Sequence, residues 1–559
     1  MFKRVIFILA VAFVGIGCAG QYPAPGGDIQ KAVAQDDGGS VDLAAASIEE
    51  DFLREAVAYI ASDELEGRGP GTRGDRLTRK YLAGRLEELG YEPAGNDGGW
   101  EQRFSIVGMT SHMPKTWTFK TAGDKSESFS SVNEYMVNAG VQRPSVSIAD
   151  AELVFVGFGI SAPEEKWDDY KDADLKGKIL LILNDDPDWD PDLFGGERKL
   201  YYGRWTYKYE NAARAGASGA IIIHTTPSAG YSWEVIKSSN SGPQFEIPAE
   251  DEPRIQMHAW MTEAASKRLV AVAGKSLDEL VSLAKSRDFR PVPLGIATSI
   301  SFDVAIENTE TANIAGILKG SDPALGDQVV VFSAHHDHLG IGDPDETGDR
   351  IYNGALDNGV AMAQALGVAK AFAALTEPPR RSILILFVGG EEQGLLGSRH
   401  FATNPTVPLS SIAANINFEL GNVWGRTRDV TVYGKGKSNL EDMLETRAKE
   451  QGRNLTAEKD PRAGWYYRSD QFSFARAGVP AIWFKSGVDF IGREKGWGEA
   501  RANEWIAKRY HRPSDELEDG WDFSGLVEDA RLAFLLGFDI ANTDQMPAFY
   551  PGDEFAAKR

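Results

Sequence analysis

Residues 382–398 read SILILFVGGEEQGLLGS, and this stretch decides the fold class. Its first part, residues 383–388, is a continuous apolar run of strand length, which is typical of a central strand buried on both faces. Two glycines then end the strand before Glu391 and Glu392, and the pattern over 392–402 predicts a helix. A buried strand that leads into a helix indicates a parallel α/β sheet.

The same alternation of strand and helix recurs along the second half of the chain. The sequence predicts strands at 329–334, 412–418 and 481–484 and a helix at 358–375. Between about 148 and 300 the character changes to short apolar strands and a charged helix near 262–287. We therefore predict an α/β fold with a mixed, mostly parallel central sheet flanked by helices, interrupted by a smaller β-rich insert.

Composition excludes several classes of protein. The chain has 559 residues, 42% of them hydrophobic, which is too apolar for a disordered protein and too long for one ordinary domain. With 59 Lys and Arg against 82 Asp and Glu, the net charge is -23, and we predict no nucleic-acid partner. A single cysteine excludes an internal disulfide framework and cysteine-based metal sites. Any metal would have to be held by histidines and carboxylates.

The cysteine lies in an N-terminal export signal. Lys3 and Arg4 precede an apolar run over 5–16 and then Gly17-Cys18-Ala19-Gly20, which resembles a bacterial lipoprotein signal. We predict a signal peptide over 1–18, lipidation of Cys18 and a flexible tether over 19–48. The mature protein would then be an exported, membrane-anchored lipoprotein at the outer membrane or periplasmic face. An ordinary cleaved signal, giving a periplasmic or secreted protein, is the alternative.

A histidine cluster follows the predicted strand at 329–334. Residues 333–340 read SAHHDHLG and contain three of the eight histidines in the chain. The carboxyl ends of strands in an open α/β sheet are where ligands bind. His is the commonest metal ligand and needs a partner on its other nitrogen, which Asp337 can supply for His335. The cluster therefore predicts a metal site, with His336 and His338 as neighbours of the ligands rather than ligands themselves.

Further carboxylates emerge at other strand ends. The adjacent pair Glu391 and Glu392 would repel each other at the end of a buried strand unless a cation lies there. Glu419 follows another strand, and His511 lies in a later loop. Asp357 precedes a predicted helix, where an N-cap would explain it equally well when it is taken alone.

Together these segments resemble the co-catalytic di-zinc aminopeptidase family, which includes the bacterial leucine aminopeptidases and, more distantly, glutamate carboxypeptidase and the catalytically silent transferrin receptor. Residues 65–72, LEGRGPGT, are similar to that family's entry motif, and residues 175–179 and 215–222 are similar to pieces of a protease-associated domain. The resemblance implies a peptidase domain in two parts, 49–147 and 301–559, separated by a protease-associated insert over 148–300.

The resemblance also implies a role for each residue and two zinc ions per chain. The implied ligands are His335 and Glu419 for one zinc, Glu392 and His511 for the other, and Asp357 as the bridge between them. The implied catalytic residues are Glu391, as the general base, and Asp337, which orients His335. Glu419 departs from the family, which more often has Asp there. Gln471 stands where the family often has His.

The function that we predict is a zinc-dependent exopeptidase, most readily an aminopeptidase acting on peptides by attack of a metal-bridging water. A carboxypeptidase or dipeptidase on the same scaffold is the first alternative. A catalytically silent surface binding protein and a glutaminyl cyclase are the others. Tyr467 could bind substrate or simply pack, and no obligate protein partner is inferred.

Overall fold

The structure is a computed structural model that describes residues 38–123, 125–191, 193–240, 242–249 and 252–558. The predicted signal peptide, Cys18 and the tether up to residue 37 lie outside the described residues.

The strands are β1 (Glu92–Pro93), β2 (Glu101–Ser111), β3 (Thr116–Thr121), β4 (Ser126–Ser130), β5 (Tyr135–Ala139), β6 (Ser145–Phe155), β7 (Ser161–Ala162), β8 (Trp167–Asp168), β9 (Ile179–Leu183), β10 (Gly219–His224), β11 (Gln244–Glu246), β12 (Met257–Thr262), β13 (Val292–Leu318), β14 (Val329–His335), β15 (Gly340–Ile341), β16 (Ile351–Tyr352), β17 (Ser382–Val388), β18 (Ile412–Phe418), β19 (Asp429–Tyr433), β20 (Asn454–Ala457) and β21 (Ala481–Ser486). The helices are α1 (Gly38–Ala46), α2 (Glu50–Ile60), α3 (Arg73–Glu88), α4 (Trp205–Arg214), α5 (Thr226–Ala229), α6 (Trp233–Ser239), α7 (Glu263–Val272), α8 (Leu277–Ala284), α9 (Val360–Ala373), α10 (Leu396–Thr403), α11 (Leu440–Glu450), α12 (Gln471–Arg476), α13 (Trp497–Lys508) and α14 (Ser524–Asn542).

The central sheet has the order β2–β13–β17–β14–β18–β21–β19–β20, and its strands β17, β14, β18 and β21 are parallel. Every residue of β14, β17 and β18 is buried, as continuous apolar strands require. Helices α2, α9 and α14 cover one face of the sheet, and α10 and α12 cover the other. The predicted mixed, mostly parallel sheet flanked by helices is confirmed.

The parallel strands also determine where the loops emerge. Strands β14, β17 and β18 pair in register, so that His335 lies opposite Val388 and Ala334 opposite Phe418. Their carboxyl ends therefore lie side by side at one edge of the sheet, and the segments that follow them start from neighbouring points.

A second sheet forms the insert, and it begins earlier than the predicted boundary at residue 148. Its order is β4–β3–β13–β6–β9–β10–β12–β5, which places the strands between Thr116 and Ala139 in the insert. Strand β13 belongs to both sheets: its first part pairs with β3 and β6, and its last part pairs with β2 and β17. Strands β3 and β4 form a local hairpin, but β3 also pairs with β13 and β5 pairs with β12, both more than 100 residues later, and no local pattern predicts these distant pairings.

The predicted tether over 19–48 is too long at its C-terminal end. Residues Gly38–Ala46 form helix α1, and Val41, Ala44 and Ala45 are buried against the apolar cluster that contains α9 and α14. The guanidinium of Arg531 donates to the carbonyls of Ala45 and Ile48 at the end of this helix. Small alanines carry little apolar periodicity, and the composition of this segment therefore gave no sign of a packed helix. In the described part of the chain, no helix combines the length and apolar character needed to cross a membrane.

The packing of α1 predicts that substitutions at two alanines of this helix have different effects on stability. Ala44 is buried whereas Ala46 is exposed. We expect Ala44→Asp to lower the free energy of unfolding by about 2–4 kcal/mol, because a carboxylate would be buried without a partner. The matched variant Ala46→Asp should change it by less than about 1 kcal/mol. Chemical denaturation of both variants measures the difference, and equal effects would contradict the docking of α1.

Candidate metal centre

The chemistry-bearing residues converge on the carboxyl edge of the central sheet. His335 is the last residue of β14, Glu419 directly follows β18, and Glu391 and Glu392 follow β17 after two glycines. Asp357 lies in the single π-helical turn Ala355–Gly359 before α9, and its peptide bond to Asn358 is cis. His511 adopts a left-handed conformation in the turn after α13, with a φ of 56°.

His335 faces two carboxylates with one ring nitrogen. Its Nε2 atom lies 3.4 Å from Asp357 Oδ1 and 3.4 Å from Glu419 Oε2. These distances are longer than an ordinary N–H···O hydrogen bond, and the buried Nε2 has no hydrogen-bond partner among the described residues. The opposite nitrogen, Nδ1, lies 3.1 Å from the main-chain oxygen of Asp337. The ring is thus held on one side and left open toward carboxylates on the other.

His511 forms the corresponding second half of the cluster. Its Nε2 atom lies 3.0 Å from Glu392 Oε2 and 3.4 Å from Asp357 Oδ2, again without the alignment of a hydrogen bond. The ring stacks on Tyr510 with 3.9 Å between ring centroids. Asp357 therefore stands between the two imidazoles, with one carboxylate oxygen facing each of them.

This arrangement fits divalent metal ions. Ligand atoms of His335, Asp357 and Glu392 lie within 4.8 Å of one another. Two ring nitrogens that point at carboxylates without hydrogen bonds leave room for a cation between them, and nitrogen and carboxylate oxygen are ligands that zinc prefers. Several carboxylates buried side by side would otherwise repel each other strongly. Three of the five ligands predicted from the sequence therefore lie close enough together to share one metal ion.

Glu391 lies beside this cluster rather than within it. Its Oε2 atom is 3.9 Å from His335 Nε2, and 11% of its side chain is exposed. Burial and the neighbouring charges of Glu419 and Glu392 raise the pKa of Glu391 well above its usual value, although His335 acts in the opposite direction. A partly accessible carboxyl group next to the predicted ligands is suited to hold or move a proton.

Asp337 acts through two different groups. Its main-chain oxygen contacts His335 Nδ1, whereas the nearer oxygen of its carboxylate is 3.8 Å from that nitrogen. The carboxylate instead accepts hydrogen bonds from the main-chain N–H groups of Glu391 and Glu392, at 3.0 and 3.3 Å. Asp337 therefore ties the loop after β14 to the loop after β17, in addition to its predicted contact with His335.

The neighbouring histidines differ from each other. His338 Nδ1 lies 2.7 Å from Glu392 Oε1, so this ring holds one of the predicted ligands. His336 points away from the cluster, where its Nε2 lies 2.9 Å from the carbonyl oxygen of Ala312. Burial lowers the pKa of His336 to about 3, which keeps the ring neutral.

The contacts of Tyr467 are with residues other than the predicted metal ligands. Its ring is buried among aromatic residues, and its hydroxyl donates to Glu554 at 2.5 Å. Substrate binding by Tyr467 stays a prediction, and packing explains the contacts that it makes.

Several residues that the sequence analysis left without a role hold the cluster in place. The carboxylate of Asp515 accepts from the main-chain N–H groups of Leu356 and Asp357, at 3.2 and 3.0 Å. Ser469 donates to Glu419 at 2.7 Å. Arg68, in the segment LEGRGPGT, is completely buried and donates to the main-chain carbonyls of His336 and Gly354. Of these three residues, Arg68 alone lies in a segment quoted above from the sequence.

The carboxylates of the cluster favour the protonated form of both histidines when no metal is bound. Burial alone would lower the pKa of His511, but Glu392 and Asp357 outweigh it and raise the pKa to about 10. At His335, the charges of Glu419 and Glu391 likewise outweigh the effect of burial and raise the pKa of the ring well above its usual value. We therefore expect both rings to be protonated near pH 7 when no metal is bound, so that a metal would have to displace these protons.

Zinc binding near pH 7 should consequently release protons, on the order of two per chain, from His335 and His511. Because the protons compete with the metal, zinc affinity should rise with pH between about 6 and 9. Calorimetric titration in buffers of different ionisation enthalpy measures the number released. Binding without proton release, or affinity that falls with pH, would contradict this assignment of the charges.

Asp515 should control metal affinity without touching the metal. We expect Asp515→Ala to weaken zinc binding by about 10–100-fold, because the main-chain N–H groups of Leu356 and Asp357 would lose their hydrogen-bond acceptor. Asp519, an exposed residue of the same loop, provides the matched control Asp519→Ala. Zinc affinity is measured by competition with a chelating dye, and equal affinities of the two variants would refute the positioning role.

Two protein families match the chain. Residues 313–534 match peptidase family M28, and residues 149–256 match the PA domain. The PA match includes β9, β10 and the end of β6, which belong to the second sheet. The M28 match begins near the end of β13 and covers every predicted metal ligand.

Similar proteins agree with these matches. The chain is 35% identical over 125 residues to a probable zinc metalloprotease of Pyricularia oryzae, covering 22% of each chain. It is 26% identical over 218 residues to aminopeptidase YwaD of Bacillus subtilis, covering 38% of this chain and 41% of that protein. The chain thus matches less than half the length of these curated relatives.

A solved structure extends the likeness to almost the whole fold. The aminopeptidase from Aneurinibacillus sp. strain AM-1 superposes with a TM-score of 0.52 at 17% identity, covering 90% of this chain and 97% of that one. At this identity the likeness concerns the fold. The chain therefore contains a region that matches peptidase family M28, residues 313–534, and a region that matches the PA domain, residues 149–256.

Proposed function

We propose that the protein is a zinc-dependent aminopeptidase that removes N-terminal residues from peptides. The observation that carries the proposal is the cluster around Asp357, in which two imidazole nitrogens and several carboxylates face one another without hydrogen bonds. The relatives named above, a probable zinc metalloprotease and an aminopeptidase, support zinc as the metal and the amino terminus as the site of attack.

The proposal assigns two zinc ions to the cluster. His335 and Glu419 would hold one ion, His511 and Glu392 would hold the other, and Asp357 would bridge them. The contacts of the five residues support this division, because each imidazole has its own terminal carboxylate and both imidazoles face Asp357. The longer side chain of Glu419 is accommodated by Ser469, which fixes one of its oxygens.

Glu391 is proposed as the general base. When bound, the zinc ions would polarise the peptide carbonyl and lower the pKa of a water molecule. Glu391 would accept the proton of that water during attack and return it to the leaving amine. Its place beside the cluster, with a side chain that is still partly accessible, supports this role.

Asp337 is proposed as a positioning residue. Its carboxylate holds the main chain of Glu391 and Glu392, and its main-chain oxygen holds the ring of His335. Burial raises the pKa of Asp337 to about 6, while its hydrogen bonds from the main chain favour the charged form. These contacts would keep the base and the proposed ligands in one fixed arrangement.

Export and lipidation belong to the same proposal. A peptidase that acts on peptides outside the cytoplasm agrees with the signal predicted over 1–18, and Cys18 would supply a lipid anchor. The described residues do not include this segment, so the anchor stays a prediction from the sequence.

The proposal is tested with Glu391→Gln, which keeps the size of the side chain and removes the base. We expect kcat for substrates with a free N-terminus to fall by about 10²–10⁴-fold while zinc content is unchanged. Glu377→Gln is the matched control, because Glu377 is exposed. Elemental analysis gives the zinc content, and hydrolysis of aminoacyl amides, N-acetylated peptides and peptides with amidated C-termini gives the specificity.

The outcomes separate the alternatives. About two zinc ions per chain, with only free-N-terminus substrates cleaved, would support the aminopeptidase. Cleavage that depends on a free C-terminus, with the same loss in Glu391→Gln, would keep the mechanism and move the specificity to a carboxypeptidase or dipeptidase. Absence of zinc and of turnover in the wild type would refute the enzyme and leave a binding protein on this fold.

A further inference from the structure

A cavity of about 160 Å³ opens beside the metal centre. Two of its lining residues, Leu356 and Leu420, are direct chain neighbours of Asp357 and Glu419. Much of the remaining wall is aromatic, formed by Trp424, Tyr433, Trp465, Trp483, Phe490 and Trp505. A group held at the cluster would therefore have this cavity next to it.

Lys485 places an ammonium group in this aromatic wall. It lies two residues after Trp483 on β21, so both side chains project from the same face of the strand. Trp483 stacks on Tyr433 at 3.7 Å and donates its indole N–H to the main-chain oxygen of Glu419. The Nζ atom of Lys485 is 5.8 Å from the centre of the Tyr433 ring. Lys485 is the one residue with a charged side chain among the described residues that line the cavity.

This ammonium forms no close ion pair in the described part of the chain. No carboxylate of those residues lies within 4.0 Å of its Nζ atom. Asp529, whose charge acts on Lys485, is already held by Arg453 at 2.7 Å and by the main-chain N–H of Ser486 at 2.7 Å. Burial lowers the pKa of Lys485 to about 8, although Glu419, Asp529 and Asp357 act in the opposite direction.

We propose that this cavity receives the side chain of the substrate residue whose carbonyl is attacked, and that Lys485 selects an acidic residue, Asp or Glu, at that position. The inference rests on the proposed function and adds the substrate class. The aromatic wall would contact the methylene part of the side chain, and the carboxylate would pair with the ammonium.

Acidic, aliphatic and basic side chains would differ in their free energy of binding in this cavity. An aliphatic side chain such as Leu would fill the cavity, exclude water and leave the Lys485 ammonium without a partner, which is costly. A Lys or Arg side chain would add repulsion between like charges. A carboxylate would replace the lost water with a charge-assisted hydrogen bond. Without Lys485, the same cavity would favour apolar side chains, because they would bury the most apolar surface.

The test compares substrates that differ only in the first residue: Glu-, Gln-, Leu- and Lys-aminoacyl amides with one fluorogenic leaving group. On the zinc-loaded full chain, we expect Glu to be preferred over Gln and Leu. Lys485→Met should lower the Glu-to-Leu ratio of kcat/KM by about 10–100-fold, the size expected for a lost hydrogen bond to a charged group. Lys485→Arg should retain most of the preference.

A matched control and a binding measurement accompany the kinetics. Lys495 is an exposed lysine of the loop after Phe490, and Lys495→Met should leave the Glu-to-Leu ratio as in the wild type. Calorimetry with free L-glutamate and L-leucine, the expected products, gives the same comparison without turnover. Thermal unfolding of Lys485→Met and Lys485→Arg shows whether each variant is folded.

The results distinguish the two proposals. If the wild type cleaves Leu substrates and the Glu-to-Leu ratio does not change in folded Lys485→Met, the inference is overturned and the aminopeptidase stands. Leu-Ala and Leu-Ala amide differ only in the free C-terminal carboxylate. If Lys485→Met lowers kcat/KM for Leu-Ala but not for Leu-Ala amide, Lys485 binds the C-terminal carboxylate of the substrate, and the inference is likewise overturned. If no free-N-terminus substrate is cleaved by the wild type, the proposed function itself fails.

Discussion

Asp357 lies between two imidazoles, and the geometry of both halves of the cluster depends on its position. One carboxylate oxygen faces His335 and the other faces His511, so a small shift of this side chain would disturb both halves of the cluster. Buried carboxylates are expensive to hold in place, and their positions must come from the main chain. Asp515 holds the peptide N–H of Asp357, and Asn358 links the same turn to Leu420 beside Glu419.

The edge of the sheet is stabilised by polar contacts that reach across strands. A chain of hydrogen bonds runs from Ser333 on β14 to Asn417 on β18, then to Ser469 and on to Glu419. Below the cluster, the guanidinium of Arg68 donates to main-chain carbonyls of the loops around it, and its charge acts on nearby carboxylates. These hydrogen bonds hold the loops and the residues around the cluster in place.

The insert borders the same site although its sheet is separate. Strand β13 carries the chain from one sheet to the other, and the N–H of Phe245 on β11 donates to the side chain of Gln393, next to Glu392. Arg468, just before Ser469, donates to the carbonyl of Ala229 in the insert. The insert therefore helps to enclose the centre, while the cavity that contains Lys485 is lined by residues of the region that matches family M28.

The sequence by itself determined the fold class and the residue types at the centre. Apolar strands such as residues 383–388 and the carboxylates at their ends are local patterns, and parallel strands bring their carboxyl ends together. Only the tertiary structure decided which oxygen faces which imidazole, that Asp515 and Arg68 hold the loops, and that strands 116–139 belong to the insert. It also decided that Lys485 enters an aromatic cavity. These features depend on contacts between residues far apart in the chain, and side-chain direction at such contacts follows from packing rather than from any periodicity of the sequence.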